Sequence, residues 1–146
     1  MHVFIAGVMQ GERRDNQIDS QSYRSRITEA LRTHLPEVTI TDPYALNPNS
    51  VNYGADQARH TFLTMTKEAG KADLMIAYLP SVSMGTAMEM WEAYRAGVPI
   101  IAVTPYVHHW AIRFTANEIL PDLETLFQRI ESGTLMQSAN GDGQGA

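Results

Sequence analysis

The sequence predicts an α/β domain built on a parallel sheet. Short apolar runs that end at glycine or proline alternate with longer segments whose apolar residues recur at helical spacing. The 146 residues suit one domain, and 44% of them are hydrophobic, so a core can form without disulfides or structural metals. Such alternation favours parallel strands joined by right-handed helical crossovers.

The first half of the chain supplies two predicted strands and two predicted helices. Residues 3–6 form an apolar run closed by Gly7, too short for a helix and typical of a buried strand. Residues 8–20 show no periodicity and predict a long loop, a kind of connection that is often functional. The next predicted segments are a helix over 22–35, a β-branched strand over 38–41, a surface loop over 44–54 and a helix over 58–69.

The second half repeats the pattern. Residues 72–80 have the nearly continuous apolar centre of a parallel strand covered on both faces. A helix over 84–96, a strand over 98–103 and a closing helix after Pro121 follow, whereas residues 107–119 show only a weak pattern. Residues 1–132 are therefore predicted to form the domain, and residues 133–146, rich in Gly, Gln, Ser and Asn, a disordered tail.

Composition and charge exclude several functions. The net charge of −5 and the isoelectric point near 5.4 argue against a nucleic-acid partner. The absence of cysteine excludes disulfide scaffolds and thiol nucleophiles. The first residues lack the basic region and the long apolar run of a signal peptide or a membrane span, so we expect a soluble, cytoplasmic protein.

The carboxyl ends of the predicted strands indicate where a ligand would bind, because open parallel sheets bind ligands in the crevice at that edge. Of the segments that follow the predicted strands, the one over 81–89 is the most informative. Ser83, Gly85 and Thr86 come at a predicted helix start, where backbone N–H groups and hydroxyls suit a phosphate, and Glu89 follows one turn later. Alternatively, Ser83 only caps the helix, Gly85 relieves crowding and Glu89 is a solvated acid.

The turn over 7–11 is a second candidate. Gly7 and Gly11 permit close approach of the backbone to a ligand, with Met9 and Gln10 between them, although a plain turn would look the same. The turn lacks the third glycine of a dinucleotide fingerprint, and the sequence contains no Walker A lysine motif. We therefore expect no NAD, other cofactor or metal.

Four segments resemble the nucleoside 2-deoxyribosyltransferase superfamily, and the resemblance spans most of residues 3–104. They are Val3-Phe4-Ile5-Ala6-Gly7, Ala72-Asp73-Leu74-Met75-Ile76-Ala77, Ser83-x-Gly85-x-x-x-Glu89 and Gly97-Val98-Pro99-Ile100-Ile101. The serine at position 83 makes the chain more similar to the branch of nucleoside 5′-monophosphate N-glycosidases, since the transferases usually have aspartate at the matching position. A serine hydroxyl can donate to a phosphate, whereas an aspartate would repel it.

The resemblance implies a three-layer, Rossmann-like or flavodoxin-like fold and a homodimer with sites near its interface. It implies that Glu89 attacks C1′ of the sugar, with phosphate contacts from Ser83, Gly85 and the loop over 7–11. It also implies that the neighbouring subunit contributes residues near His108, His109 and Thr115. His108 and His109 could equally be a solvent-facing pair, and adjacent histidines do not share a metal readily.

The sequence also departs from that family. The aspartate that helps the base leave is missing from residues 64–68, Trp91 stands where a glycine is usual, and Gln10 stands where the monophosphate hydrolases tend to have arginine. Glu92 could assist Glu89 from the same helical face, but pairing with Arg95 is the interpretation we favour. Three functions stay open: hydrolysis of a nucleoside or deoxynucleoside 5′-monophosphate, base exchange between deoxynucleosides, and nucleotide binding without catalysis.

Overall fold

The computed structural model describes residues 1–137 and contains five parallel strands in one sheet, in the order β2-β1-β3-β4-β5. The predicted α/β fold class is confirmed. The strands are His2–Gly7 (β1), Thr39–Thr41 (β2), Leu74–Tyr78 (β3), Ile100–Val103 (β4) and Glu118–Leu120 (β5).

Helices connect the strands and cover both faces of the sheet. They are Ser22–His34 (α1), Pro43–Leu46 (α2), Ala55–Glu68 (α3), Met84–Arg95 (α4), Trp110–Arg113 (α5) and Leu123–Glu131 (α6), with short 3₁₀ turns at Ser50–Asn52 and Ala69–Lys71. None of these helices is long and apolar enough to pass through a bilayer, a finding that covers residues 1–137.

The core lies in two layers because alternate residues of each strand point to opposite faces of the sheet. On one face, Phe4 of β1 and Met75 of β3 are buried with Met90 of α4. On the other face, Ile5 and Ile76 belong to the cluster that includes Ile27 and Leu31 of α1 and Leu126 and Ile130 of α6. The molecule is therefore the three-layer sandwich that the resemblance implies.

Three stretches differ from the sequence prediction. The weakly patterned residues 107–119 include α5 and the start of the edge strand β5, and the predicted loop over 44–54 includes part of α2 and a 3₁₀ turn. Each of these elements has only three or four residues, too few to display a period. Of the predicted tail, residues 138–146 lie outside the described residues, whereas Leu135 is buried against the cluster that contains α1 and α6.

The order of the strands locates the crevice of the sheet. From β1 the chain passes outward through α1 to β2, then returns through α3 to β3 on the other side of β1. The connections diverge at the carboxyl ends of β1 and β3, and such a switch point is where open α/β sheets bind ligands.

Candidate active site

A cavity of about 350 Å³ opens at this switch point. The end of β1 and its loop form one wall, the start of α4 forms a second, and residues of α3 and of the segment 43–53 form the rest. A larger groove of about 900 Å³ runs between α1 and the segment from β2 to α2, and its wall includes several polar residues of α1. We place the candidate site in the smaller cavity because, of the two, it alone is lined by a carboxylic acid with a buried oxygen that lacks a hydrogen-bond partner among the described residues.

Eight residues predicted for the site line this one cavity. They are Gly7, Met9, Gln10, Gly11, Ser83, Gly85, Thr86 and Glu89. His108 and His109 are exposed and Thr115 is half-buried, and none of the three lines the cavity. A role for these three therefore requires a second copy of the chain and stays a prediction.

The start of α4 presents hydrogen-bond donors to the cavity. Ser83 is the N-cap residue, and its hydroxyl accepts a hydrogen bond from the backbone N–H of Thr86 at 3.2 Å. Its own O–H proton remains able to donate to a ligand. The first backbone N–H groups of a helix have no partner within the helix and carry its positive partial charge. The buried hydroxyl of Thr86 also has no hydrogen-bond partner among the described residues.

Gly85 does not relieve crowding at this turn. A Cβ placed on it would have a single neighbour within 4 Å, Cε2 of Phe62 at 3.8 Å, which is an ordinary contact. The sequence left open that Ser83 caps the helix and that Gly85 relieves crowding. The structure confirms the capping role of Ser83 but shows no crowding at Gly85. The missing side chain leaves space in the cavity instead.

Glu89 lies on the same face of α4 as Thr86, three residues further along the helix. The residue as a whole is half-buried, but its Oε2 atom is inaccessible to water and has no hydrogen-bond partner within residues 1–137. Burial raises the pKa of Glu89 to about 8, while the nearby Arg24 guanidinium lowers that pKa and the Asp42 carboxylate raises it. The carboxyl group is thus desolvated rather than solvated, and at neutral pH a proton occupies most copies.

The loop after β1 needs glycine at both of its ends. Gly11 has a φ angle of +57°, and a Cβ there would lie 2.9 Å from Cγ1 of Val8. A Cβ on Gly7 would overlap the ring of Tyr23, whose hydroxyl donates to the carbonyl of Val8 at 3.2 Å. The backbone therefore turns tightly over Tyr23 and lies against the cavity.

The remaining wall is formed by residues that sequence reasoning did not select. Tyr53 donates its hydroxyl proton to Oδ1 of Asn47 at 3.2 Å, and both residues line the cavity. Apolar contacts come from Ile18, Val51, Phe62 and Met65, among others. One sequence signal points to this wall, the length of the loop over 8–20. The apolar stripe of α3 has the period of a core helix, but in the structure it lines the cavity and no residue of α3 is fully buried.

Three solved structures resemble this arrangement. A 2-deoxyribosyltransferase of Bacillus psychrosaccharolyticus has a TM-score of 0.65 at 17% identity, with 87% of this chain and 90% of that chain covered. A conserved protein of Enterococcus faecalis V583 has a TM-score of 0.61 at 17% identity, covering 91% and 98%. The CMP N-glycosidase BcmB of Clostridium botulinum has a TM-score of 0.51 at 20% identity, covering 91% and 99%.

The chain has a nucleoside 2-deoxyribosyltransferase-like fold. No family model matches the sequence, and no curated protein is detectably similar to it. At 17–20% identity the likeness to the solved structures establishes the deoxyribosyltransferase-like fold and leaves the reaction to be argued from the cavity.

Within the deoxyribosyltransferase-like fold, the unusual Trp91 does not block the site. Its side chain is 53% exposed, is stacked on Tyr94 at 5.7 Å between ring centroids, and is absent from the cavity wall. Tyr94 is itself about half exposed. Glu92 pairs with Arg95 at 3.5 Å, the interpretation that the sequence favoured.

The missing aspartate has no carboxylate in its place. Met65 and Thr66 line the cavity in the region where the deoxyribosyltransferase-like pattern has an aspartate, and Glu89 is the one carboxylic acid among the described residues of the cavity wall. The side chains available to hydrogen-bond a leaving base are therefore the hydroxyls and amides of the wall, Tyr53 and Asn47 among them.

Proposed function

We propose that this protein is an N-glycosidase that hydrolyses the base–sugar bond of a nucleoside or 2′-deoxynucleoside 5′-monophosphate. The observation that carries the proposal is the carboxyl group of Glu89, whose buried Oε2 has no hydrogen-bond partner in the described part of the chain and which lines the same cavity as the start of α4. A buried carboxyl group with no partner is costly to the fold, and such groups are concentrated at functional sites.

The anionic end of the substrate would bind at the start of α4. Ser83 and Thr86 supply hydroxyls there, the helix supplies backbone N–H groups, and the loop from Gly7 to Gly11 faces them across the cavity. The space left by Gly85 lets the phosphate approach the backbone. A phosphate held at this point would lie about one helical turn from Glu89, a separation that suits the distance from the 5′ phosphate to C1′.

The reaction follows from this placement. Ionised Glu89 attacks C1′, the C1′–N bond breaks with its electron pair going to the base, and a sugar–glutamate ester forms. A water molecule then attacks C1′ and gives up one proton to solvent, which releases the Glu89 carboxylate and yields the free sugar phosphate. The hydroxyl of Tyr53 would hydrogen-bond the departing base, and a proton from solvent would complete the neutral base.

Base exchange between deoxynucleosides is the second candidate, and one observation favours it. The described residues of the cavity wall include no lysine or arginine, so a phosphate dianion would be held by dipoles and N–H groups without a full positive charge. An uncharged nucleoside would not need a positively charged side chain in the cavity wall. A transferase would also have to hold a second base and exclude water from the sugar ester.

We further propose that the protein acts as a homodimer. Large apolar side chains are exposed on α4 and α5, an unusual surface for a monomer, and they include Met84, Trp91, Trp110 and Phe114. A partner packed there would place its own loop with His108, His109 and Thr115 at the interface. These three residues would then reach the site of the neighbouring subunit.

The decisive experiment is a screen for released base. Purified protein is incubated with each nucleoside and deoxynucleoside 5′-monophosphate and with the matching nucleosides, and free base is measured by chromatography. We expect release from at least one monophosphate and none from a Glu89→Ala variant that keeps its circular dichroism spectrum. Addition of a different free base separates transfer from hydrolysis. Tight nucleotide binding without base release from any substrate would instead indicate a non-catalytic binding protein.

A further inference from the structure

A buried ion pair lies between the larger groove, which its two residues line, and the candidate site, whose wall it contacts at Gly7. Arg24, at the start of α1, is only 3% exposed, and its guanidinium donates to Oδ1 of Asp42 at 2.9 Å. It also donates to the carbonyl oxygens of Ile5 and Gly7, each at 3.1 Å, and to Oε1 of Gln21 at 2.7 Å. The guanidinium therefore binds the last carbonyl groups of β1, and the Gly7 that it contacts is itself part of the cavity wall.

The ion pair also connects two walls of the cavity. The same Oδ1 of Asp42 accepts a hydrogen bond from the backbone N–H of Tyr44 at 3.0 Å, which starts α2. Pro43, between those two residues, lines the cavity. The guanidinium–carboxylate contact thus links the end of β1 to the start of the segment 43–53, beyond the last paired residues of β1 and β2.

Stability alone gives a weak reason for such a pair. Replacing a buried ion pair with well-packed apolar residues is often neutral or stabilising, because two charges must lose their water. The pair acts on Glu89, however, since the positive charge of Arg24 attracts the Glu89 carboxylate and the negative charge of Asp42 repels it. Its position and its charges both indicate a role at the site.

Among the described residues that line the cavity or interact electrostatically with Glu89, few others are charged or titratable. From α1, the buried Tyr23 phenol interacts with it electrostatically, and from the segment 43–53 Tyr53 lines the same cavity. The residues through which α3 meets the cavity are uncharged: Ala58, Thr61, Phe62, Met65 and Thr66. On α4 itself, Glu92 is paired with Arg95 outside the cavity wall. Arg24 is therefore the basic residue with an identified effect on Glu89.

We propose that Arg24 is a positioning residue that fixes the carboxyl end of β1 and balances the negative charge of ionised Glu89, while Asp42 holds the guanidinium in place and moderates its charge. The proposal rests on the proposed function, in which ionised Glu89 attacks C1′. It assigns Arg24 no contact with the substrate.

The test compares pH profiles of kcat/KM for base release by Arg24→Gln, Arg24→Lys and Asp42→Asn. Loss of the positive charge should move the acidic limb to higher pH by roughly 1 unit, and loss of the negative charge should move it to lower pH. Arg24→Lys keeps the charge but cannot make the forked contacts, so it should leave the limb in place and reduce kcat/KM. The control is Arg95→Gln, which removes a positive charge from α4 outside the cavity and should leave the profile unchanged.

A purely structural role predicts a different result. In one such result, kcat/KM falls in all three variants and the acidic limb of the pH profile does not move. In another, the limb moves in the same direction for Arg24→Gln and Asp42→Asn. Either outcome would overturn the proposal. Should Arg24→Gln not fold, the proposal is still tested by the other two variants: the acidic limb should move to lower pH in Asp42→Asn and stay in place in Arg24→Lys.

A measurement without turnover separates this proposal from the proposed function. The titration of Glu89 is followed by NMR of carboxyl-labelled glutamate in the folded protein, with Glu89→Gln used to assign the signal. If the wild type releases no base, the proposed function fails, but opposite displacements of the Glu89 titration in Arg24→Gln and Asp42→Asn would still support the electrostatic role. A Glu89 titration that both variants leave unchanged would refute that role whatever the activity.

Discussion

Replacing Glu89 with glutamine removes a carboxyl group that burial holds protonated far above its usual pH range, and this should change how stability depends on pH. In the wild type the pKa is raised from 4.5 to about 8 in the folded state. The folded protein then binds a proton more tightly than the unfolded chain does, so the free energy of unfolding should fall as the pH rises from about 4.5 and level off above about 8.

The size of the effect follows from the shift. At about 1.4 kcal/mol for each pKa unit, a rise from 4.5 to about 8 corresponds to about 5 kcal/mol across the whole range. That value is an upper limit, because Glu89 is half-buried and water reaches part of its side chain. Glutamine has a similar shape and no charge. The free energy of unfolding of Glu89→Gln, relative to that of the wild type, should therefore increase by several kcal/mol as the pH rises from about 5 to about 9.

Urea unfolding of both proteins at a series of pH values measures this difference directly, provided that the slope with urea is the same for the two. The control is Glu92→Gln, which removes a carboxylate from the same helix at a partly exposed pair with Arg95. Its effect on stability should vary little with pH. A constant difference between the wild type and Glu89→Gln across the pH range would show that Glu89 is solvated, and the reasoning about the cavity would then fail.

Four further predictions concern activity. Because Glu89 must be ionised to attack C1′, kcat/KM should rise with pH and reach a plateau above about 8; a profile that falls over the same range would indicate that Glu89 acts as an acid. Ser83→Asp should raise the Kd for a nucleoside monophosphate by at least about tenfold more than that for the nucleoside, because it places a carboxylate beside the phosphate; calorimetry showing equal losses would contradict the phosphate role. Gly85→Ala adds a methyl group whose nearest neighbour is Phe62 at 3.8 Å, so it should leave the Tm near that of the wild type and raise KM, and an unchanged KM would place the substrate elsewhere. Tyr53→Phe removes a hydroxyl from the cavity and should lower kcat by about 100-fold with little change in Tm; an unchanged kcat would remove Tyr53 from the proposed mechanism.

The apolar runs of β1, β3 and β4 and the helical spacing of α1 and α6 can be predicted from the sequence, because these strands are buried on both faces and each of these helices buries one apolar face along its length. The positions of β1, β3 and the start of α4 then suffice to predict which loops meet at the carboxyl edge of the sheet. For that reason the residues from Gly7 to Gly11 and from Ser83 to Glu89 could be placed on one site before any contact was known.

Short elements and the use of each apolar face could not be predicted in the same way. The stripe that contains Phe62 and Met65 of α3 has the period of a core helix, yet it lines the cavity, and Trp91 is near Glu89 in sequence but lies on the outer surface. A period reveals that a face is apolar and does not reveal what covers it.

The residue types and their spacing made Glu89 and the start of α4 candidates, since both belong to one local helix, and the resemblance to the nucleoside 2-deoxyribosyltransferase superfamily favoured them over a plain capped helix. The raised pKa of Glu89 and its link to Arg24 and Asp42 arise only when segments far apart in sequence are packed together, because burial and charge depend on distance in space.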